Sequence, residues 1–336
     1  MLTLGDTDGP GSLATVEAFA LRTRGGDYVV RGMYSPSLAV FDSSGRYRRT
    51  VGREGGAPGE YRGIASIANY RGDSLLVLDW GNSRFSVLDP SFSYVRGGAL
   101  PFTPALKTVS LGDGSFVHAR HAQTPDRVGQ PLQRLSPRGE WLSSFGSADG
   151  IYRPDIPLLL SRTLATADAG RIWSAAVTAY EISRIDVASG RVVQRLFRDV
   201  PWFPDWRRPG VVGSEPDRPP RPLLVAMRED AEGLLWVLVA VPDARWRTQV
   251  RRGQGAHGHA VADEQEYYDT IIEVIDPRRG ELLASRRVGE YIRQFVDDAL
   301  VGTVVEDLRD GVPRLRVWRV ELMGDSNKRQ DQGSDT

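Results

Sequence analysis

Apolar and polar positions alternate in short runs along most of the chain, and each run is closed by a Gly, Asp or Ser turn. Alternation with a period of two, bounded by such turns, predicts antiparallel strands rather than helices. The stretch Phe41 to Pro90 shows the phrase most fully. A strand ends in Asp42, turns through Ser44-Gly45 into Arg46 to Val51, and passes through a Gly-rich loop. A strand from Gly63 to Asn69 follows, then a turn at Arg71-Gly72, a strand Ser74 to Asp79, a turn at Gly81-Asn82 and a strand Arg84 to Asp89.

The phrase recurs, and a recurring unit of roughly 40 to 50 residues built from four strands is the signature of a propeller blade. Blade one is predicted as Val16 to Leu21, Asp27 to Arg31, Leu38 to Asp42 and Tyr47 to Val51; blade two as Ile64 to Ala68, Ser74 to Asp79, Phe85 to Asp89 and Tyr94 to Ala99. Blade three takes Leu106 to Leu111, Ser115 to Arg120, Leu132 to Ser136 and Trp141 to Phe145; blade four takes Ser161 to Ala167, Arg171 to Val177, Glu181 to Val187 and Val192 to Arg198. Blade five takes Leu223 to Arg228, Leu234 to Val241, Thr270 to Asp276 and Leu282 to Val288. The sixth offers only Ile292 to Phe295, Leu300 to Glu306 and Arg314 to Leu322. An open sheet edge is a liability that propellers remove by closure, so Leu2 to Gly5 is expected to supply the missing strand. The expected fold is a single all-β, six-bladed β-propeller of four-stranded antiparallel blades over residues 1–323, with a polar, disordered tail at 324–336.

Strand parity divides the connections between two faces. First-to-second and third-to-fourth turns share one face and are tight, as at Gly25-Gly26, Ser44-Gly45, Asp113-Gly114 and Ser189-Gly190. Second-to-third loops and blade-to-blade connections share the other face, where Gly52 to Arg62, His121 to Pro131, Gly146 to Leu160, Asp199 to Pro222 and Pro242 to Asp269 are long. Scaffolds carry function on loops gathered at one end, so the loop-rich face is the expected place for a ligand.

Composition narrows the classes. The 43 basic residues balance 43 acidic ones, which argues against binding nucleic acid or anionic membrane through bulk charge. Lys107 and Lys328 are the only lysines among many arginines. Cys is absent, which excludes disulfides, thiolate metal sites and Cys nucleophiles. No apolar run approaches the roughly 18 residues of a membrane span. The N-terminus lacks the charged and apolar segments of a signal peptide, and a leader is expected to have been removed.

The phrase Asp79-Trp-Gly-Asn-Ser-Arg84, preceded by VGREGGAPGEY, resembles the NHL-type repeat, and more closely the six-bladed propellers of bacterial genomes with a GxxGxxPGE-type loop. Arg171 to Asp186 and Tyr267 to Gly289 continue the resemblance, whereas blade one has MYSPSL in place of the Asp-x-Gly-Asn phrase. The resemblance implies the fold. It leaves function open among protein-binding modules, sugar binders, lyases and hydrolases, and it implies export to an extracytoplasmic compartment.

Gly52 to Glu60 is no phosphate cradle, because Pro58 and a strand follow where a helix N-terminus is needed. Asp79, Asn82 and Arg84 read as structural glue across a turn. NHL-like lyases hold zinc with pore histidines, and all four histidines here, His118, His121, His257 and His259, fall in or beside loop-rich-face connections. A calcium-dependent hydrolase would need inward acids such as Asp155, Glu181 or Glu229, which no spacing selects, and GxSxG is absent. Trp202, Phe203, Trp206, Arg207 and Arg208 cluster in one long connection, and Arg245, Trp246, Arg247, Tyr267 and Tyr268 in another. Trp, Tyr and Arg dominate binding hot spots, although the same rings could plug inter-blade grooves as core. The expectation is a non-catalytic binding propeller for a protein or glycan at the loop-rich face, with no cofactor. The alternative is a metal-dependent lyase or hydrolase holding zinc or calcium through the histidines.

Overall fold

The computed structural model describes residues 1–323 except 14, 16, 105, 121–128, 147–160, 169, 205–217, 253–258 and 308. Its strands form six four-stranded antiparallel sheets, arranged as a six-bladed propeller, and one small two-stranded hairpin. The first strands of the blades are Phe19–Arg22, Ile64–Asn69, Thr108–Ser110, Arg162–Thr166, Leu223–Glu229 and Gln294–Phe295. All six line a central channel. The expected tail at 324–336 lies outside the described residues.

Burial is highest in the second strands and falls toward the rim. Second strands such as Leu75–Asp79 are buried along their whole length, whereas fourth strands such as Tyr47–Val51 are largely exposed. The core lies in the seams between blades rather than at one centre. Phe41, Val30 and Ala20 of blade one pack against Val296, Val304 and Leu315 of blade six. Val29, Leu38, Ile64 and Val77 fill the seam between blades one and two. A polar staple joins blades four and five, where the fully buried Glu273 accepts hydrogen bonds from Tyr180, Arg198 and Ser285.

Closure follows the expected route. Leu2–Leu4 pairs with Pro313–Arg319 in the register Leu2↔Val317, Thr3↔Arg316 and Leu4↔Leu315, and Leu4 is fully buried in the seam between blades six and one. The last blade thereby acquires its fourth strand, and its third strand is no longer an unpaired edge.

The Asp that ends so many predicted strands has a local reason. Asp42 Oδ1 accepts from Ser44 N, Ser44 Oγ and Arg46 N, and Asp89 Oδ1 does the same with Ser91 and Ser93. These side chains satisfy the amides of a tight reversal that the ladder cannot reach. The Ser44 hydroxyl holds the Asp42 carboxyl below its usual range, and Ser91 does so for Asp89. Just inside these turns the third and fourth strands slip register, at Val40/Phe41, Val87/Leu88, Arg184/Ile185 and Val274/Ile275. Bulges of this kind raise local twist.

One predicted loop contains structure that the pattern does not announce. Within Pro242 to Asp269 a 3-10 turn at Trp246–Gln249 precedes a hairpin of Val250–Arg252 with His259–Val261. Three-residue strands are too short to show a period.

Candidate functional site

Most of the described residues singled out as ligand contacts turn out to be engaged in packing or ion pairs. Phe203 is buried against Tyr180 at 5.4 Å, and the half-buried Trp202 packs beside both at 6.0 and 6.2 Å. Trp246 is buried with the Arg247 guanidinium 5.1 Å from its ring centre. Tyr267 is buried and meets the half-buried Tyr268 edge-on at 4.9 Å, and Tyr268 in turn packs on Tyr291. Arg245 pairs with Asp243 at 3.2 Å and Glu266 at 3.1 Å, which ties down the foot of the long blade-five loop. Packing, the alternative reading of these rings, describes Phe203, Trp246 and Tyr267. Trp206, Arg207 and Arg208 lie outside the described residues.

His118 is fully buried, stacked on Phe102 with ring centres 5.8 Å apart, and its Nδ1 lies 2.7 Å from Thr108 Oγ1. Burial, reinforced by the Arg120 charge, pushes its pKa down to about 3, so the ring is neutral. His121 and His257 lie outside the described residues, as does the side chain of His259. Among the described residues no three His, Asp or Glu side chains stand close enough to hold one metal ion. Glu229 accepts from Trp173 Nε1, and Glu181 lies 3.5 Å from Arg195, so both are engaged with neighbours; Asp155 lies outside the described residues.

The glue reading of the Asp79 phrase is what the structure displays. Arg84 donates to the carbonyl oxygens of Gly56, Ala57 and Glu60, and Asn82 Nδ2 donates to Gly55 O and Asp79 Oδ2. The Gly-rich connection is thus pinned to blade two by its own backbone. Arg53 and Glu60 close it with an ion pair at 2.7 Å.

Two other features stand out, neither among the residues singled out from sequence. On the loop-rich face, Tyr34 and Trp80 occupy the second-to-third connections of blades one and two, with ring centres 5.3 Å apart at 46°. They are 45% and 49% exposed. Tyr34 sits at φ +54°, a region that a bulky L-residue rarely occupies. Backbone bonds hold the pair: Ile64 N donates to Ser35 O at 2.8 Å and Trp80 N to Gly63 O at 2.7 Å. Neighbouring blades therefore share one exposed aromatic surface.

The second feature is the central channel, a cavity of about 850 Å³ bounded by the inner strands and by the tight first-to-second turns. It opens toward the tight-turn face, opposite the face that loop length favours. Its mouth carries ion pairs: Arg22 pairs with Asp297 at 3.1 Å, Arg171 with Asp168 at 3.0 Å, and Arg228 with Asp298. Its inner end carries Arg31, Phe19 and Lys107. Arg31 faces Phe19 in the strand register, with its guanidinium 5.0 Å from the ring centre, and Lys107 Nζ reaches the same ring at 4.5 Å.

Comparison with known proteins agrees with the fold. A family model described as a 6-bladed beta-propeller matches residues 14–141, which is the first two blades and most of the third. No curated protein matches the chain. Among solved structures, the chain is similar to a protein from Bacteroides fragilis whose name marks it as a candidate for export, with 10% identity and a TM-score of 0.58 over 95% of this chain and 94% of that one. It is also similar to a member of the duf4221 family from Bacteroides vulgatus, with 8% identity and a TM-score of 0.59 over 95% of this chain and 97% of that one. At such identities the likeness concerns the fold alone.

Proposed function

We propose that the protein is a non-catalytic binding propeller whose loop-rich face takes a protein or glycan partner. The observation that carries this reading is the exposed Tyr34–Trp80 pair. Two large rings held open to solvent, one of them on a strained backbone, cost stability that a purely structural surface has no reason to bear. Flat aromatic surfaces suit the faces of sugar rings and the proline or aromatic side chains of a peptide. The NHL-like phrase and the likeness to a protein named for export support a binding module working outside the cytoplasm.

The test is a glycan and peptide array probed with the wild-type chain and with Trp80→Ala. The reading expects a ligand whose apparent affinity falls at least about tenfold in the variant, the typical cost of losing a hot-spot ring. Binding that is equally strong in Trp80→Ala, or no binding to any sugar or peptide by a folded wild type, would overturn it.

A further inference from the structure

Arg31 is 2% exposed, and its Nε and Nη1 atoms have no hydrogen-bond partner. A buried guanidinium normally finds a carboxylate, or at least carbonyl oxygens for its donors. Here the two charged side chains that line the inner end of the channel, Arg31 and Lys107, are both cations. Lys107 approaches the same Phe19 ring from blade three, and the charges of Arg31 and Arg293 both act on it. Arg293 has its own carboxylate, Glu264 at 3.1 Å. Among the described residues neither Arg31 nor Lys107 has one.

The contrast with the mouth of the same channel is informative. Arg22, Arg171 and Arg228 are matched by Asp297, Asp168 and Asp298, so this chain supplies carboxylates to three of the channel arginines. At the inner end it supplies a ring face instead. Cation–π contact offsets part of the desolvation of a cation but leaves the buried donors of the guanidinium unused. Burial holds Arg31 at about 10 and Lys107 at about 8, as expected of charges that lack a counter-ion.

We infer that the inner end of the central channel is a binding site for the oxyanion group, carboxylate or phosphate, of a small ligand that enters from the tight-turn face. The planar fork of Arg31 and the point charge of Lys107 supply complementary donors for such a group, and Phe19 forms an aromatic wall between them. A cavity of about 850 Å³ has room for a small organic molecule behind that head group. This site stands independently of any partner at the loop-rich face, because it rests on different residues and opens on the other side.

The test is calorimetry and thermal unfolding of the full chain with inorganic phosphate and, separately, succinate as probes, with chloride added to hold ionic strength constant. Arg31→Met and Lys107→Gln are run alongside; the latter replaces a half-buried side chain and keeps the assay usable if the former fails to fold. A saturable rise in melting temperature with at least one probe is expected, weakened at least about tenfold in each folded variant. The stronger probe tells a phosphate ligand from a carboxylate one. The site is overturned if neither probe gives a saturable shift in the wild type. It is equally overturned if a folded variant keeps the wild-type affinity.

Discussion

At the scale of single residues, Tyr34 shows how a local conflict marks a surface. Its φ of +54° is a glycine-like conformation imposed on a large ring, at a cost of roughly 1–2 kcal/mol relative to glycine. Tyr34→Gly is therefore expected to leave the fold intact and to change stability by less than about 1 kcal/mol, because relief of strain offsets the lost ring contact. The same change should weaken any ligand held at Trp80. Urea unfolding and the array assay, run on one preparation, separate the two effects; a loss of several kcal/mol would show that the ring is packing and not presentation. His118 makes the opposite case, a residue type associated with chemistry that serves the core. Its pKa in the folded chain lies near 3, below the 6.5 of an unfolded histidine, so the unfolded state takes up the extra proton between those values. Stability from this group is complete above about pH 6.5 and is lost as pH falls toward 3. His118→Gln should flatten that part of the profile, measured as the urea midpoint between pH 4 and 7. An unchanged slope would contradict the assignment.

At the scale of elements, the closing strand is the most consequential short segment. Leu4 is fully buried between blades six and one, and Leu4→Ala is expected to cost about 2–5 kcal/mol. Deleting residues 1–5 should do more, because it exposes the Pro313–Arg319 edge, and concentration-dependent aggregation by light scattering would report it. The loop Gly52 to Arg62 offers a second test. Arg84→Ala removes the donor to three of its carbonyls, so amide exchange across residues 53–60 should accelerate while exchange in Leu75–Asp79 stays slow.

These elements also show what could be read before any coordinates. Strand rhythm, turn spacing and the odd number of strands in the last unit led to the architecture and its closure, because period-two burial and Asx turns are local properties of sequence. The binding surfaces were less legible. Phe203, Trp246 and Tyr267 carry the composition of a hot spot, yet whether a ring faces a seam or solvent depends on the neighbouring blade. Trp80 stood within the quoted Asp79 phrase, but its pairing with Tyr34 crosses from one blade to the next. Arg31 ends a predicted strand, and nothing beside it in the sequence sets it apart. Its lack of a counter-ion is a fact about six converging strands, and no spacing along the chain records it.

At the scale of the whole molecule, the propeller brings charges from distant segments to one axis and, among the described residues, pairs them with carboxylates at the mouth but not at the inner end. At the mouth Arg22, Arg171 and Arg228 have carboxylates; Arg31 and Lys107 share a phenyl ring. That arrangement has a cost in the free protein, since Arg31 is held out of water with a second, half-buried cation near it. Lys107→Met is accordingly expected to raise the melting temperature at pH 7, and the gain should shrink as pH rises from about 8 to 10.5, where wild-type Lys107 loses its proton in the folded state before it does in the unfolded one.

The most direct check is to titrate Lys107 itself. The chain has only two lysines, Lys107 and Lys328, so ¹³C-lysine labelling gives a spectrum with two side-chain signals that Lys107→Gln assigns at once. An ammonium without a carboxylate, partly buried beside the Arg31 charge, predicts a midpoint near 8 in anion-free buffer, moving upward when phosphate or succinate is added. A midpoint at or above 10.5 without added anion would mean that Lys107 already has a counter-charge or full hydration, and would contradict the charge imbalance on which the channel site rests.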